Sequence, residues 1–221
     1  MSFPPELFRF LKDLAAHNDR AWFNANKERY ETAVKGPLLG FIGDVGSDLK
    51  KISKQLVADP SPSGGSMFRI YRDTRFSKDK SPYKTHAAAH FRHAASTKDV
   101  HAPGLYLHLE PGSVFVAGGA WQPEPAVLHQ IRDRIVAKPK LWEAVRKSGL
   151  VLGGESLKRP PSGYDPEHPF IEDLKRKDFI SSIEFTQKDA TSPKFKKQFV
   201  EACRELAPLM KFLTAAMEVP W

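Results

Sequence analysis

Hydrophobic positions in the first quarter of the chain follow a helical spacing. Leu7, Leu11 and Leu14 recur every three or four residues after two prolines, which predicts a first helix. We expect a second helix with Asn18 as its N-cap, ending where Gly36 and Pro37 break it. A third helix is expected over residues 38–56, followed by a loop over 59–65 that is rich in proline, serine and glycine.

The pattern changes to a period of two in the middle of the chain. Residues 68–71 and 86–93 are predicted as short strands, and residues 105–109 and 114–117 as a hairpin that turns at Pro111-Gly112. In the first hairpin strand, leucines alternate with polar residues. The leucine face should therefore lie in the core, with Tyr106 and His108 on the opposite face.

Helical spacing returns in the last third. Helices are predicted over residues 126–137 and 141–145, irregular structure over 158–169, and a strand over 179–185. A long apolar stripe predicts a terminal helix over 195–217 that Pro208 should kink. Helices, then antiparallel strands, then helices indicate the α+β class, with an antiparallel sheet and with N-terminal and C-terminal helices packed on it. We expect a single domain over residues 1–221.

Composition narrows the class of protein and of partner. The 221 residues are 41% hydrophobic and 27% charged, which is typical of globular proteins and not of disordered or fibrous ones. Apolar runs are far shorter than a membrane helix requires, and the first residues do not resemble a secretory signal. With one cysteine, Cys203, neither an internal disulfide nor a cysteine-rich zinc site is expected. We therefore expect a cytoplasmic protein without a membrane partner.

The formal net charge of +8 favours anionic partners, and one segment concentrates that charge. Residues 69–84, here called the basic segment, hold six basic and two acidic residues with interleaved aromatic ones. Arginine binds phosphate or carboxylate through two parallel hydrogen bonds, and lysine adds a point charge. A phosphate about 4 Å from one cation gains about 4 kcal/mol at an effective dielectric near 20, before desolvation. The predicted ligand-binding residues are Arg69, Tyr71, Arg72, Arg75, Lys78, Lys80, Tyr83 and Lys84.

Histidines near this segment are candidates for proton transfer. His86 follows the basic segment, and His108 lies on the polar hairpin face with Tyr106 and Glu110. A histidine near its ordinary pKa acts as a general acid or base at neutral pH, so His86 and His108 are the predicted catalytic residues. The histidines at 86, 90 and 93 could suggest a metal site, but alanines occupy the intervening positions where zinc hydrolase helices have a glutamate. We expect neither a metal nor a cofactor.

The function predicted from these residues is binding of a small molecule that carries a phosphate or carboxylate, by an enzyme or by a simple binder. One alternative is a nucleic-acid-binding protein, in which the aromatic residues of the basic segment stack on bases. Another is an adaptor whose basic segment docks an acidic partner. The ordinary alternative is a solvated charge run, with Asp73 and Asp79 neutralising their arginine neighbours.

Four stretches of the chain resemble a family of uncharacterised bacterial and fungal proteins, the domain-of-unknown-function 2461 family (DUF2461). The run from Arg69 to Lys84 is similar to the signature of that family. So are residues 18–30, the Gly118-Gly119 pair with Pro123, and residues 159–175, although His17 stands where the family tends to have an asparagine. The resemblance covers nearly the whole chain. It implies an α+β fold and supplies no reaction, substrate or catalytic set.

Overall fold

A computed structural model describes residues 2–96 and 103–221. Five strands form one antiparallel sheet in the order β1-β2-β3-β5-β4. The strands are β1 (Ala87–Arg92), β2 (Gly104–Glu110), β3 (Ser113–Ala120), β4 (Leu152–Gly153) and β5 (Phe179–Phe185). The helices are α1 (Pro5–Ala16), α2 (Arg20–Ala25), α3 (Lys27–Tyr30), α4 (Gly36–Ile52), α5 (Pro125–Ala137), α6 (Pro139–Lys147), α7 (Ile171–Leu174), α8 (Gln187–Ala190) and α9 (Phe195–Ala216). The predicted α+β class is confirmed.

The two faces of the sheet differ, as the alternation in β2 predicts. Leu105, Leu107 and Leu109 have no exposed surface, and Leu107 stands opposite Val116 of β3 in the hairpin register. Helices α1, α4 and α9 contact β2, β1 and β3, so this leucine face supports the main core. Polar and aromatic side chains alternate with the leucines and occupy the opposite face.

Helix α9 belongs to two hydrophobic cores. Phe199 and Leu206 pack in the main core with the sheet, α1 and α4. Phe212 and Leu213, one to two turns further along, pack in a second core with α5, α6 and the end of β3. In the second core, the buried Trp142 donates its Nε1–H to Asp173 over 2.8 Å.

The predicted helix break at Gly36 and Pro37 is wrong. Residues 31–35 form a π-helical turn that runs directly into α4, and Pro37 lies in the first turn of α4. A proline inside a regular α-helix clashes with the carbonyl four residues earlier, and the wider π turn removes the register that produces the clash. The backbone therefore remains helical through Pro37.

Two further local predictions need correction. Asp19, and not Asn18, caps α2, because its carboxylate accepts a hydrogen bond from the amide of Trp22 over 2.9 Å. Residues 68–71 form no continuous strand. The extended chain around them makes single bridges at Met67 and Tyr71, since its backbone pairs with β1 at one point and with the basic segment itself at another.

None of the described helices combines the length and the apolar character needed to cross a lipid bilayer.

Candidate functional site

The polar face of the sheet carries a cavity of about 530 Å³, here called the sheet cleft. Its floor comes from alternate residues of β2 and β3, including Tyr106 and Phe115. Gly118 and Gly119 of β3 line one end of the floor. A Cβ at Gly118 would meet Leu105 and Leu206 on the core face, and a Cβ at Gly119 would meet the backbone of β5. The complete lining consists of Phe68, Lys84, His86, His90, Gly104, Tyr106, Phe115, Ala117, Gly118, Gly119, Trp121 and Ile180.

A chain of polar contacts runs beside the sheet cleft along β2. Tyr106 Oη lies 3.1 Å from His108 Nδ1, and His108 Nε2 lies 3.2 Å from Glu110 Oε2. Thr85 donates its hydroxyl to the other carboxylate oxygen, Glu110 Oε1, over 2.8 Å. One tautomer satisfies all of these contacts: Tyr106 donates to Nδ1, and Nε2–H of His108 donates to Glu110.

His86 lies next to this chain of contacts. Its ring centroid is 4.6 Å from that of His108, and Phe115 stacks on the other side of His108, also at 4.6 Å. Burial, with a contribution from His108, lowers the pKa of His86 to about 4. The ring is therefore neutral at neutral pH and has a nitrogen lone pair available.

The electrostatics of the neighbouring acid and phenol are also perturbed. Burial acts to raise the pKa of Glu110, but the hydrogen bonds from Thr85 and His108 outweigh it, so the pKa stays below its ordinary value. Burial raises the pKa of Tyr106 to about 12, and Glu110 adds to the shift. At neutral pH, a carboxylate and a protonated phenol hold His108 from its two ends.

Lys84 brings a positive charge to the sheet cleft. Its ammonium lies 5.2 Å from the centroid of the Phe68 ring. Burial lowers the pKa of Lys84, and the nearby charge of Arg69 lowers it further. Among the described residues, no carboxylate lies within 4 Å of the Lys84 ammonium. The structure therefore holds this cation half-buried beside an aromatic ring, without an acidic partner in residues 2–96 and 103–221.

A second cavity of about 490 Å³, here called the basic pocket, adjoins the sheet cleft. The two cavities share Phe68 and His90, whose rings stack at a centroid distance of 6.2 Å. Four cations line the basic pocket against one acid, Glu31, which pairs with Lys35 over 2.8 Å. Its charged lining residues are Lys27, Glu31, Lys35, Arg69 and Arg92.

The middle of the basic segment is built differently. Arg72 pairs with Asp79, and Arg75 pairs with Asp73 over 2.7 Å. Lys80 donates to the backbone carbonyl of Thr74 over 2.9 Å. These contacts lie within the segment, in an exposed loop, and Asp73 and Asp79 neutralise neighbouring arginines in the way that the ordinary alternative describes.

The structure thus separates the predicted ligand-binding residues into three groups. Arg69 and Tyr71 line the basic pocket, whereas Lys84 lines the sheet cleft together with the predicted catalytic His86. His108 lies directly behind Phe115 in the floor of the cleft. The other predicted residues line neither cavity; they are Arg72, Arg75, Lys78, Lys80 and Tyr83, of which Tyr83 is buried.

Several residues of the two cavities were missed in the sequence. Phe68 and Phe115 carry no polar signal, and Lys35 and Arg92 stand in regular elements outside the basic segment. Glu110 was noted only as a neighbour on the polar face. Its spacing of two residues from His108 within a strand was the signal that places both side chains on one face.

Residues 6–212 match the family model described as "Conserved hypothetical protein (DUF2461)", which covers nearly the whole chain. The chain belongs to the DUF2461 family. The suspected resemblance is therefore confirmed. Among curated proteins, none matches the sequence of this DUF2461 chain.

Proposed function

We propose that this protein binds a small molecule that carries a phosphate or carboxylate group. The anion would lie between Arg69 and Lys84, and an apolar or aromatic part of the ligand would fill the sheet cleft. The observation that carries the proposal is the difference between the cations of the basic segment. Arg72 and Arg75 are paired with acids, whereas Arg69 and Lys84 line cavities and, within the described chain, have no carboxylate within 4 Å.

The electrostatics of Lys84 support this proposal. Burial and the nearby charge of Arg69 disfavour the charged form of the half-buried Lys84 ammonium, which is why its pKa is lowered. An anion between Lys84 and Arg69 would remove the repulsion between the two cations and replace the lost hydration. The shape of the sheet cleft fits the rest of such a ligand, since aromatic side chains form much of its wall and a few polar groups face inward.

Isothermal titration calorimetry with inorganic pyrophosphate, nucleoside monophosphates and aromatic carboxylates tests the proposal. Arg69→Met and Lys84→Met remove the charge and keep most of the side-chain volume. Each should weaken binding at least tenfold. Lys78→Met is the matched control, because Lys78 is exposed and lines neither cavity; it should bind like the wild type.

Equal losses from all three variants would mean that binding follows overall charge, and would contradict the proposal. Absence of measurable binding across the whole panel would contradict it as well.

Nucleic-acid binding remains the second candidate, and one observation favours it. Phe76, at the tip of the exposed loop, is 95% exposed, and the guanidinium of Arg75 lies 5.8 Å from its ring centroid. Exposed aromatic rings next to cations stack on unpaired bases. In that case affinity for single-stranded oligonucleotides would fall steeply with salt, and Phe76→Ala would weaken it while Lys84→Met would not.

A further inference from the structure

Three potential metal ligands come together where β1 and β2 meet the basic segment. A ring nitrogen from each of His86 and His108 and a carboxylate oxygen of Glu110 all lie within 4.8 Å of one another. His86 and Glu110 are half-buried, and His108 is 9% exposed. The cluster therefore differs from the scattered acidic groups of an ordinary protein surface.

The strand register explains why these residues meet. Ala87 stands opposite Leu109 and Ala88 opposite His108 in the β1–β2 pair. His86 lies one residue before β1, and the same register extended by one step places it opposite Glu110. Side chains in opposite positions have Cβ atoms about 4.5–5.5 Å apart, and residues two apart on one strand share a face. The strand register thus places all three side chains on one face of the sheet.

The spacing between two of the three ligand atoms suits a small ion. Nitrogen and oxygen ligands lie about 2.0–2.1 Å from zinc, so two of them in a tetrahedral site stand about 3.3 Å apart. His108 Nε2 and Glu110 Oε2 are 3.2 Å apart. A cation between these atoms would replace one weak hydrogen bond with two coordinate bonds and would require little movement of either side chain.

Two of these ligands also have hydrogen-bond partners that orient them. Metal-binding histidines commonly hydrogen-bond through the second ring nitrogen, and metal-binding carboxylates through the second oxygen. Here Tyr106 Oη lies 3.1 Å from His108 Nδ1, and Thr85 donates to Glu110 Oε1. With an ion on Nε2, the imidazole proton would lie on Nδ1, and Nδ1–H would donate a hydrogen bond to Tyr106 Oη. Both supporting contacts orient the atoms that face the cluster.

His86 supplies the third ligand position. Within residues 2–96 and 103–221, its ring nitrogens make no hydrogen bond, although the ring is half-buried and sits in the wall of the sheet cleft. Both nitrogens are therefore free of competing protein contacts in the described chain, and the one that faces His108 and Glu110 can coordinate an ion.

We propose that His86, His108 and Glu110 bind one Zn²⁺ ion, with a fourth coordination position open toward the sheet cleft. Two imidazoles and one carboxylate form a ligand set that zinc accepts in sites that keep an open position. The ion and its ligands would carry a net charge of about +1. Such a centre would add to the positive charge of Lys84 rather than cancel it.

This inference does not rest on anion binding, but it assigns the two histidines a role that excludes direct proton transfer by the coordinated nitrogens. A metal at this position is not expected from the residue pattern alone. Only one of the ligands belongs to the histidine set at 86, 90 and 93, and the partnership with Glu110 depends on how β1 pairs with β2.

Zinc binding is tested with the full chain, freed of any histidine tag and dialysed against a chelator. Calorimetry with ZnCl₂ in phosphate-free buffer, and metal analysis after gel filtration, should give one Zn²⁺ per chain. Replacement with Co²⁺ should give the intense visible absorption of a four-coordinate site. His86→Asn, His108→Gln and Glu110→Gln should each weaken Zn²⁺ binding at least tenfold, and each metal-free variant is checked for a cooperative melting transition.

His17→Gln is the matched control, because His17 is exposed at the end of α1 and stacks only on Trp22. It should bind Zn²⁺ like the wild type. Less than half an equivalent of bound Zn²⁺, or equal binding by the wild type and a folded Glu110→Gln variant, would overturn the inference. Since the titration uses the metal alone, its failure would not contradict the anion-binding proposal. Failure of the anion titrations would likewise not contradict zinc binding.

Discussion

The side chain of Asn18 should be a major support of the basic segment, although it lies 65 positions away in the sequence. Its amide donates to the carbonyl of Tyr83 over 3.0 Å, and its carbonyl accepts from the amide of Tyr83 over 3.1 Å. The two bonds imitate the pairing of one β-strand residue with another. They hold the chain immediately before Lys84 against the turn between α1 and α2.

The cost of removing this pair can be worked from the structure. Asn18→Ala leaves one backbone donor and one backbone acceptor without partners, and each such buried group costs about 1–3 kcal/mol. Both contacts are only partly buried, so water replaces part of the loss. We expect the free energy of unfolding to fall by about 2–4 kcal/mol. For a chain of 221 residues this corresponds to a drop of about 4–16 °C in melting temperature.

Asn18→Asp separates the donor from the acceptor. An ionised carboxylate still accepts from the Tyr83 amide, but it can no longer donate and instead faces the Tyr83 carbonyl oxygen. A protonated carboxyl group donates again. The folded state therefore favours the neutral acid and raises its pKa, so the penalty is present at pH 7 and shrinks as the pH falls.

Urea unfolding at pH 7 and pH 5, followed by circular dichroism, measures both variants against the wild type. Asn24→Ala is the control, because Asn24 is exposed on α2 and should change stability by less than about 0.5 kcal/mol. An Asn18→Ala variant as stable as this control would refute the bidentate contact. A deficit of Asn18→Asp that is equal at the two pH values would refute the role given to the donor.

Three further predictions concern the sheet and the two cores. Gly119→Ala should yield little soluble protein, because a Cβ there would lie 2.0 Å from a backbone oxygen of β5 and the residue has a φ of +136°. Gly112→Ala, where a Cβ would lie in open space at a φ of +84°, should lower the free energy of unfolding by about 1–2 kcal/mol. Equal losses of stability in the two variants would contradict this. Burial raises the pKa of the Cys203 thiol, so it should react with Ellman's reagent only as fast as the protein unfolds; stoichiometric labelling of the native protein within seconds would be the contrary result. Trp142→Phe removes a donor from the buried carboxylate of Asp173 and should lower the free energy of unfolding by about 1–3 kcal/mol in urea titrations, whereas a change below about 0.5 kcal/mol would show that this bond contributes little.

Local patterns predicted the parts of the fold that depend on local causes. The β2–β3 hairpin follows from alternating leucines and from a Pro-Gly turn, and its bounds in the structure lie within three residues of those predicted. The strand Phe179–Phe185 was predicted at the same residues that form β5. The continuation of the helix through Pro37 was not predicted, because it depends on a π turn over residues 31–35 that has no recognisable residue pattern.

The candidate site was harder to predict than the fold, because it depends on which distant residues the tertiary structure brings into contact. The basic segment was identified from its charge, but its charge could not show that Arg72 and Arg75 would meet acids of the same loop. His86 and His108 were chosen from their neighbours, whereas the position of Glu110 opposite His86 follows from the register of β1 against β2. Placement of Phe68 between the two cavities required knowledge of how the chain around Met67 pairs with β1.

Helix α9 makes the two cores dependent on each other. Phe199 and Leu206 form part of the wall of one core, and Phe212 and Leu213 form part of the wall of the other, on a single uninterrupted length of helix. Damage that detaches this helix exposes apolar surface on both sides at once. The stability of the sheet that supports the two cavities therefore depends in part on packing in the second core. A change near Trp142 that detaches α9 would also destabilise the sheet beneath the cavities.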